Sequence, residues 1–245
     1  MNFIQPKLWF SLLHKRPYMG TEQSFPDVSD LKGIKQLERC SNVVFSELNN
    51  YLHKHTLESQ FNTTMVERPK TWKVRSLRVW GVEMYDIQKY FPESMKLIDE
   101  IDEVIGISFN ILESDAVIKP HCGDTNAVIR CHLGLSIPYE NNSCAIKVNN
   151  EVKHWQQGKI LGFTDAYDHE AWNKTNKKRI ILLFDILKPE YLSKKNKICG
   201  VVISSLYIQQ IANLIPKLYI VNPILLYPVT YPLSLIMRIM IPIRN

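Results

Sequence analysis

Apolar residues recur with two different periods along the chain, and the change of period divides it. Over Leu31 to His53 the positions Ile34, Leu37, Val43, Val44, Phe45, Leu48 and Leu52 follow a spacing near 3.6 residues, which predicts a helix with Asp30 placed to cap its start. Trp72 to Val82 alternates and predicts a strand, and Pro92 to Ile105 predicts a short helix packed by Met95, Leu97, Ile98, Ile101 and Val104. From Ile105 to Leu187 the texture changes to short β-rich runs between polar turns. Strands are expected near 106–113, 116–120, 129–137, 144–148, 151–154, 159–164, 169–173 and 178–187, with hairpin breaks at Glu140-Asn141-Asn142 and Asn149-Asn150. Eight short strands in succession predict a mainly β fold with flanking helices, its core a double-stranded β-helix of the jelly-roll, cupin-like kind rather than a sheet with helical crossovers. Residues 1–104 then form a helical and strand buttress, 105–190 the barrel core and 191–245 a tail. The barrel mouth is the expected site of chemistry.

The tail is different material. From Val201 onward it is apolar and punctuated by Pro216, Pro223, Pro228, Pro232 and Pro242, and Leu218 to Met237 carries no charge. That window is long enough to cross a bilayer of about 30 Å as a helix, but the prolines inside it disfavour a span. Packing on the domain, dimerisation, or peripheral membrane contact through 201–245 helped by Lys194, Lys195 and Lys197 are the competing expectations.

Charge narrows the function classes. The formal net charge is +6, but residues 191–245 hold six basic side chains and no acid, so residues 1–190 balance 24 basic against 24 acidic. The main body is neutral, and nucleic acid is not an expected partner. Five cysteines, at 40, 122, 131, 144 and 199, form no CxxC pair, so neither a zinc knuckle nor a disulfide framework is indicated. Met1 to Leu13 lacks the pattern of a secretory signal. A cytoplasmic location, membrane-associated if the tail binds lipid, is expected.

Polar residues lodged in apolar strands cost free energy unless something pairs with them. His121, Arg130, His132 and Arg179 are of this kind, and His169 precedes the long apolar strand Ile180 to Leu187. Two histidines on facing barrel strands suit a divalent transition metal, and arginines nearby suit a dicarboxylate gripped by paired hydrogen bonds.

Pro120-His121-Cys122-Gly123-Asp124-Thr125-Asn126, followed by Ile129-Arg130-Cys131-His132-Leu133-Gly134-Leu135-Ser136-Ile137-Pro138, resembles the aspartyl/asparaginyl β-hydroxylases, a branch of the Fe(II)- and 2-oxoglutarate-dependent oxygenases. The likeness continues through Trp155-Gln156-Gln157-Gly158-Lys159, Asp168-His169-Glu170-Ala171-Trp172-Asn173 and Arg179-Ile180-Ile181-Leu182-Leu183-Phe184-Asp185. It implies that His121 and His169 are catalytic and ligate Fe(II). It implies that Arg179 grips the distal carboxylate of 2-oxoglutarate, and that Arg130 and His132 contact this cosubstrate near the metal. Asn126 and Trp155 become supports. Dioxygen is the second cosubstrate, and the implied reaction hydroxylates an unactivated carbon, the β-carbon of an aspartyl, asparaginyl or related amino-acid substrate.

The wider superfamily usually adds a carboxylate two residues after the first histidine; here Gly123 stands there and cannot ligate. Asp124 is assigned a supporting role. Two residues before Arg130, peptide-modifying members tend to carry a further arginine where this chain has Val128. A small-molecule, carrier-bound, lipid or peptidyl substrate therefore stays open. Arg75, Arg78, Trp80 and Tyr85 are candidate substrate contacts upstream of the barrel. The alternatives are an iron- and 2-oxoglutarate-dependent halogenase, motivated by Gly123, and a non-catalytic cupin-like binding or membrane-docking module, motivated by the tail.

Overall fold

In the computed structural model, which describes residues 7–11, 17–138, 143–215, 228 and 231–239, alternating strand patterns resolve into two facing antiparallel sheets. Helices α1 (Ile34–Arg39) and α2 (Ser41–Leu52) come first, then strands β1 (Glu58–Ser59), β2 (Trp72–Val79) and β3 (Val82–Glu83), then helices α3 (Tyr85–Gln88) and α4 (Pro92–Ile98). The barrel strands are β4 (Val104–Leu112), β5 (Ala116–His121), β6 (Val128–Ser136), β7 (Cys144–Val148), β8 (Glu151–Lys153), β9 (Ile160–Phe163), β10 (His169–Asn173) and β11 (Arg179–Leu187). Helix α5 (Lys195–Leu214) follows. The larger sheet runs β1-β2-β4-β11-β6-β9 with β3 paired to β2, and the smaller runs β5-β10-β7-β8. This is the expected double-stranded β-helix with flanking helices.

Strand β11 shows why the sequence folds this way. It lies between β4 and β6 and is buried along almost its whole length. Because side chains alternate across a strand, Ile180, Leu182, Phe184 and Ile186 face outward into a cluster with Leu37, Val44, Leu48, Met95 and Ile98 of the helices. Each such buried side chain contributes roughly 1.5–3 kcal/mol. Arg179, Ile181 and Leu183, of the opposite parity, face the barrel interior. The helices of the first 104 residues thus cover the outer face and leave the inner face for chemistry.

The predicted helix over 31–53 is two helices. Gly33, with φ +80°, begins α1 and leaves Asp30 without a capping bond; Cys40 (φ −98°, ψ 14°) breaks the run, which lets Leu37, Val44 and Leu48 all seat fully buried on the sheet. The predicted strand 72–82 turns instead at Trp80-Gly81, both with positive φ, into a two-residue hairpin pairing Val79 with Val82. The predicted helix 92–105 ends at Ile98, and strand β4 begins after Glu103, whose φ is +59°. The Asn149-Asn150 break joins β7 to β8 as expected, with Val148 opposite Glu151. The Glu140-Asn141-Asn142 break lies outside the described residues. All five cysteines are free thiols.

Glu47 of α2 ties the buttress together by accepting hydrogen bonds from the Glu93 and Ser94 backbone N–H groups and from Ser94 Oγ, at 2.9, 2.8 and 2.6 Å. Those donors are the open N-terminus of α4. Glu47→Ala should lower unfolding stability in urea by about 1–2 kcal/mol, as loss of a helix cap does, without changing the chemistry inside the barrel.

Of the tail, α5 packs Ile198, Cys199 and Val202 against Ile105, Val128 and Leu187. The uncharged window 218–237 lies mostly outside the described residues. Among the described residues no helix is long and apolar enough to cross a membrane.

Candidate active site

One cavity between the sheets is lined by all five residues singled out from the sequence, His121, Arg130, His132, His169 and Arg179, together with Trp72, Asn110 and Phe163. His121 ends β5 and His169 opens β10; the two residues are register partners, and their ring centroids lie 4.2 Å apart. Each ring is held in the same way. His121 Nδ1 meets the Lys119 carbonyl at 2.7 Å and His169 Nδ1 meets the Tyr167 carbonyl at 2.8 Å. A carbonyl only accepts, so both Nδ1 atoms donate and both Nε2 atoms keep a free lone pair. Burial lowers the His121 pKa and holds that of His169 well below the ordinary value, which keeps both rings in the neutral form that ligates metals.

Arg130 holds the third side of the cavity. Its Nε and Nη2 grip both oxygens of Asp185 at 2.8 and 2.9 Å, and its Nη1 grips Asp165 Oδ1 at 2.6 Å. The guanidinium expected to contact the cosubstrate is therefore already engaged by two carboxylates, which keep it ionised. Asp165 is fully buried, its Oδ1 lies 3.6 Å from His169 Nε2, and its Oδ2 has no hydrogen-bond partner. A Cβ at Gly123 would fall 1.7 Å from that Oδ2. The carboxylate missing after the first histidine thus has a counterpart arriving from the loop before the second. Burial, then the Asp165 charge, raises the Asp124 carboxyl to about 7.

At the far end of the cavity Arg179 is only 2% exposed, lies 4.7 Å above the Trp155 ring, and leaves Nε and Nη1 without partners. Burial lowers its pKa to about 10, so it stays charged near neutral pH. Trp155 Nε1 donates to His132 Nδ1 at 3.2 Å, which puts the His132 proton on Nε2, a buried atom that also lacks a partner. Three unsatisfied donor atoms, Nε and Nη1 of Arg179 and Nε2 of His132, are costly to bury unless an anion completes them.

Asn126 supports from outside. Its Oδ1 accepts from Trp9 N at 2.8 Å, and its Nδ2 donates to the Tyr18 hydroxyl at 3.1 Å, pinning the N-terminal segment beside the His121 loop. Of the proposed substrate contacts, Arg75 pairs with Glu58, Arg78 with Glu83 and Asp99, and Trp80 is buried under α5. None of them, nor the exposed Tyr85, lines the cavity. Sequence reasoning missed Asp185 and Asn110, which are polar residues inside apolar strands and carry the same signal as Arg130. Asp165 gave a weaker one, four residues before His169.

Among the described residues no group of three or more His, Cys, Asp or Glu side chains is placed to hold a metal ion, and the cavity brings together two imidazoles, those of His121 and His169. The fit to a cation and a dicarboxylate is otherwise close. Asp165, whose carboxyl pKa burial raises and Arg130 lowers, stands 3.6 Å from His169 Nε2, and Arg179 with His132 offers donors to an anion.

The aspartyl/asparaginyl beta-hydroxylase family profile matches residues 38–189. An ornithine lipid ester-linked acyl 2-hydroxylase of Rhizobium tropici is 42% identical over 118 residues, 48% of this chain and 42% of that one. The aspartyl/asparaginyl beta-hydroxylase of Homo sapiens is 27% identical over 210 residues, 77% of this chain and 27% of that one. The chain thus spans less than half the length of either relative. A solved prolyl-4-hydroxylase of Pseudomonas putida matches with a TM-score of 0.43 at 12% identity, over 62% of this chain and 87% of that one. By the profile match across most of its barrel and buttress, the chain belongs to the aspartyl/asparaginyl β-hydroxylase family.

Proposed function

We propose that the protein is an Fe(II)- and 2-oxoglutarate-dependent dioxygenase that hydroxylates an unactivated carbon. The observation that carries this reading is the buried, charged Arg179, whose Nε and Nη1 lack hydrogen-bond partners, facing the same cavity as two neutral histidines that present Nε2. His121 and His169 would hold the iron. When bound, iron supplies, with 2-oxoglutarate and dioxygen, an oxidative decarboxylation that yields succinate and carbon dioxide and places one oxygen atom in a substrate C–H bond. Arg179 binds the distal carboxylate of the cosubstrate with two parallel hydrogen bonds, and the His132 Nε2 proton donates to the same molecule. Arg130 fixes Asp165, so negative charge sits beside the imidazoles and the cation is matched to its site.

The substrate is an aspartyl, asparaginyl or related amino-acid β-carbon in the first reading. An acyl chain is the second, supported by the Rhizobium relative and by Val128, which is fully buried against α5 rather than offering a charge to an acidic substrate. Halogenation is disfavoured because Asp165 Oδ2 crowds the space that a side chain at 123 would leave open.

The purified protein, loaded anaerobically with Fe(II) and then given ascorbate, dioxygen and 2-oxoglutarate, should form succinate slowly without substrate. An untargeted mass search of cells with and without the gene should then find a product heavier by one oxygen. Absence of both iron binding and succinate would overturn the reading. Arg179→Ala should retain iron while raising the 2-oxoglutarate concentration for half-maximal rate by about 100-fold, the loss of a buried charge-assisted pair.

A further inference from the structure

Large apolar side chains are exposed mainly on one part of the molecule. Of sixteen such residues among those described, ten lie on three elements: Met84 and Tyr85 at the β3–α3 corner, Tyr207, Ile211, Leu214 and Ile215 at the end of α5, and Tyr231, Leu235, Ile236 and Ile239 in the helical segment 231–239. Tyr207, Ile211 and Leu214 are spaced by four and three, so they share one face of α5, and Ile215 follows as its C-cap. Leu214 is 83% exposed and Ile239 67%, far beyond what scattered surface positions need.

The three elements meet. A groove of about 740 Å³ is lined by Met84 and Tyr85 from the first, Ile203, Leu206 and Tyr207 from the second, and Met237 from the third. Segment 231–239 lies directly on α5 at Gly200, where a Cβ would come within 2.8 Å of the Ser234 carbonyl and 2.9 Å of Arg238 Cγ. The acids of the groove are Glu83, which is paired with Arg78, and Asp86.

Charge selects the occupant. Residues 191–245 contain Lys194, Lys195, Lys197, Lys217, Arg238 and Arg244 and no acid, and Lys194 and Lys197 are exposed at the start of α5. A second copy of this chain, docked symmetrically, would set these cations against themselves with no carboxylate of the tail to pair them. An apolar face with three exposed tyrosines, at 85, 207 and 231, in a chain region that carries cations and no acid, matches the boundary of a negatively charged bilayer, where tyrosine rings sit at headgroup level.

We propose that the protein docks peripherally on an anionic lipid surface through this face. Helix α5 packs on Val128 and Leu187, and Arg130, two residues along β6, reaches Asp165 beside His169. The docking rests on the surface alone and does not require the oxygenase reading.

The test is co-sedimentation of the full chain with vesicles of phosphatidylcholine, alone or mixed with phosphatidylglycerol. Binding should appear with the mixed vesicles and weaken as salt rises. Ile211→Glu with Leu214→Glu, both at exposed positions, should weaken it by about tenfold or more while far-ultraviolet dichroism is unchanged. Lys194→Gln with Lys197→Gln should lessen both the binding and its salt dependence. No binding to the mixed vesicles, or equal binding by the Ile211/Leu214 variant, would overturn the proposal. So would a dimer in solution that this variant dissociates, since the face would then belong to a second copy. His121→Ala should bind vesicles like the parent, so failure of docking and failure of the oxygenase reading are seen separately.

Discussion

Alanine at His169 is expected to remove iron binding and succinate formation together, each by at least about 100-fold, and alanine at His121 to do the same. The size follows from the ligand count. If, as proposed, two imidazoles are the protein's ligands, the site has no redundancy, and one deletion leaves a single ring. The Nδ1 bonds to the Lys119 and Tyr167 carbonyls orient both rings before any metal arrives, and that preorganisation is lost with the ring itself. Anaerobic calorimetry with Fe(II) reads the binding, and dichroism shows whether the buried His169 position tolerates the change. His132→Ala is the contrast. It should keep iron, because its ring lies with Trp155 and Arg179 rather than on the ligand pair, and should raise the 2-oxoglutarate requirement instead. Iron binding by His169→Ala equal to that of the parent would remove the basis for assigning the metal to these residues.

The barrel was readable from the chain because its strands are short, regular and apolar on at least one face. β11 is the clearest case, since its alternation separates a helix-facing row from Arg179, Ile181 and Leu183. Helix ends were less legible. The break at Cys40 and the turn at Trp80-Gly81 depend on backbone conformations that tertiary packing imposes, which apolar spacing does not encode. In the cavity, the histidines and Arg179 stood out because a polar side chain in an apolar strand needs a reason. Asp185 and Asn110 satisfy the same criterion. Asp165 does not, because it sits in a loop, and its meaning comes from contacts with Gly123 and Arg130 that chain proximity could not suggest. The seat of the N-terminal segment on Asn126 is hidden for the same reason, as it joins residues distant in the chain.

The contact of Gly123 with Asp165 yields the second large effect. Gly123→Ala is expected to destabilise the protein by about 3 kcal/mol or more, well above an ordinary surface glycine substitution. The added Cβ would stand 1.7 Å from Asp165 Oδ2 and 2.8 Å from the Asp165 carbonyl oxygen. The two segments cannot simply part, because Gly123 N donates to that same carbonyl at 2.8 Å and Arg130 holds the Asp165 carboxylate from the other side. Gly123→Asp should be worse, since a second buried carboxylate would face the first. Removing the obstacle reverses the logic. Gly123→Asp combined with Asp165→Ala moves the acid from the loop before His169 to the position two residues after His121. It should recover most of the stability lost by Gly123→Asp, and should bind iron more tightly than Gly123→Ala with Asp165→Ala, which has room but no acid. Thermal unfolding and anaerobic iron titration of the four variants separate the steric contribution from the charge. A Gly123→Ala protein as stable as the parent would mean that Asp165 does not fill that space, and the carboxylate beside the imidazoles would have to be sought elsewhere.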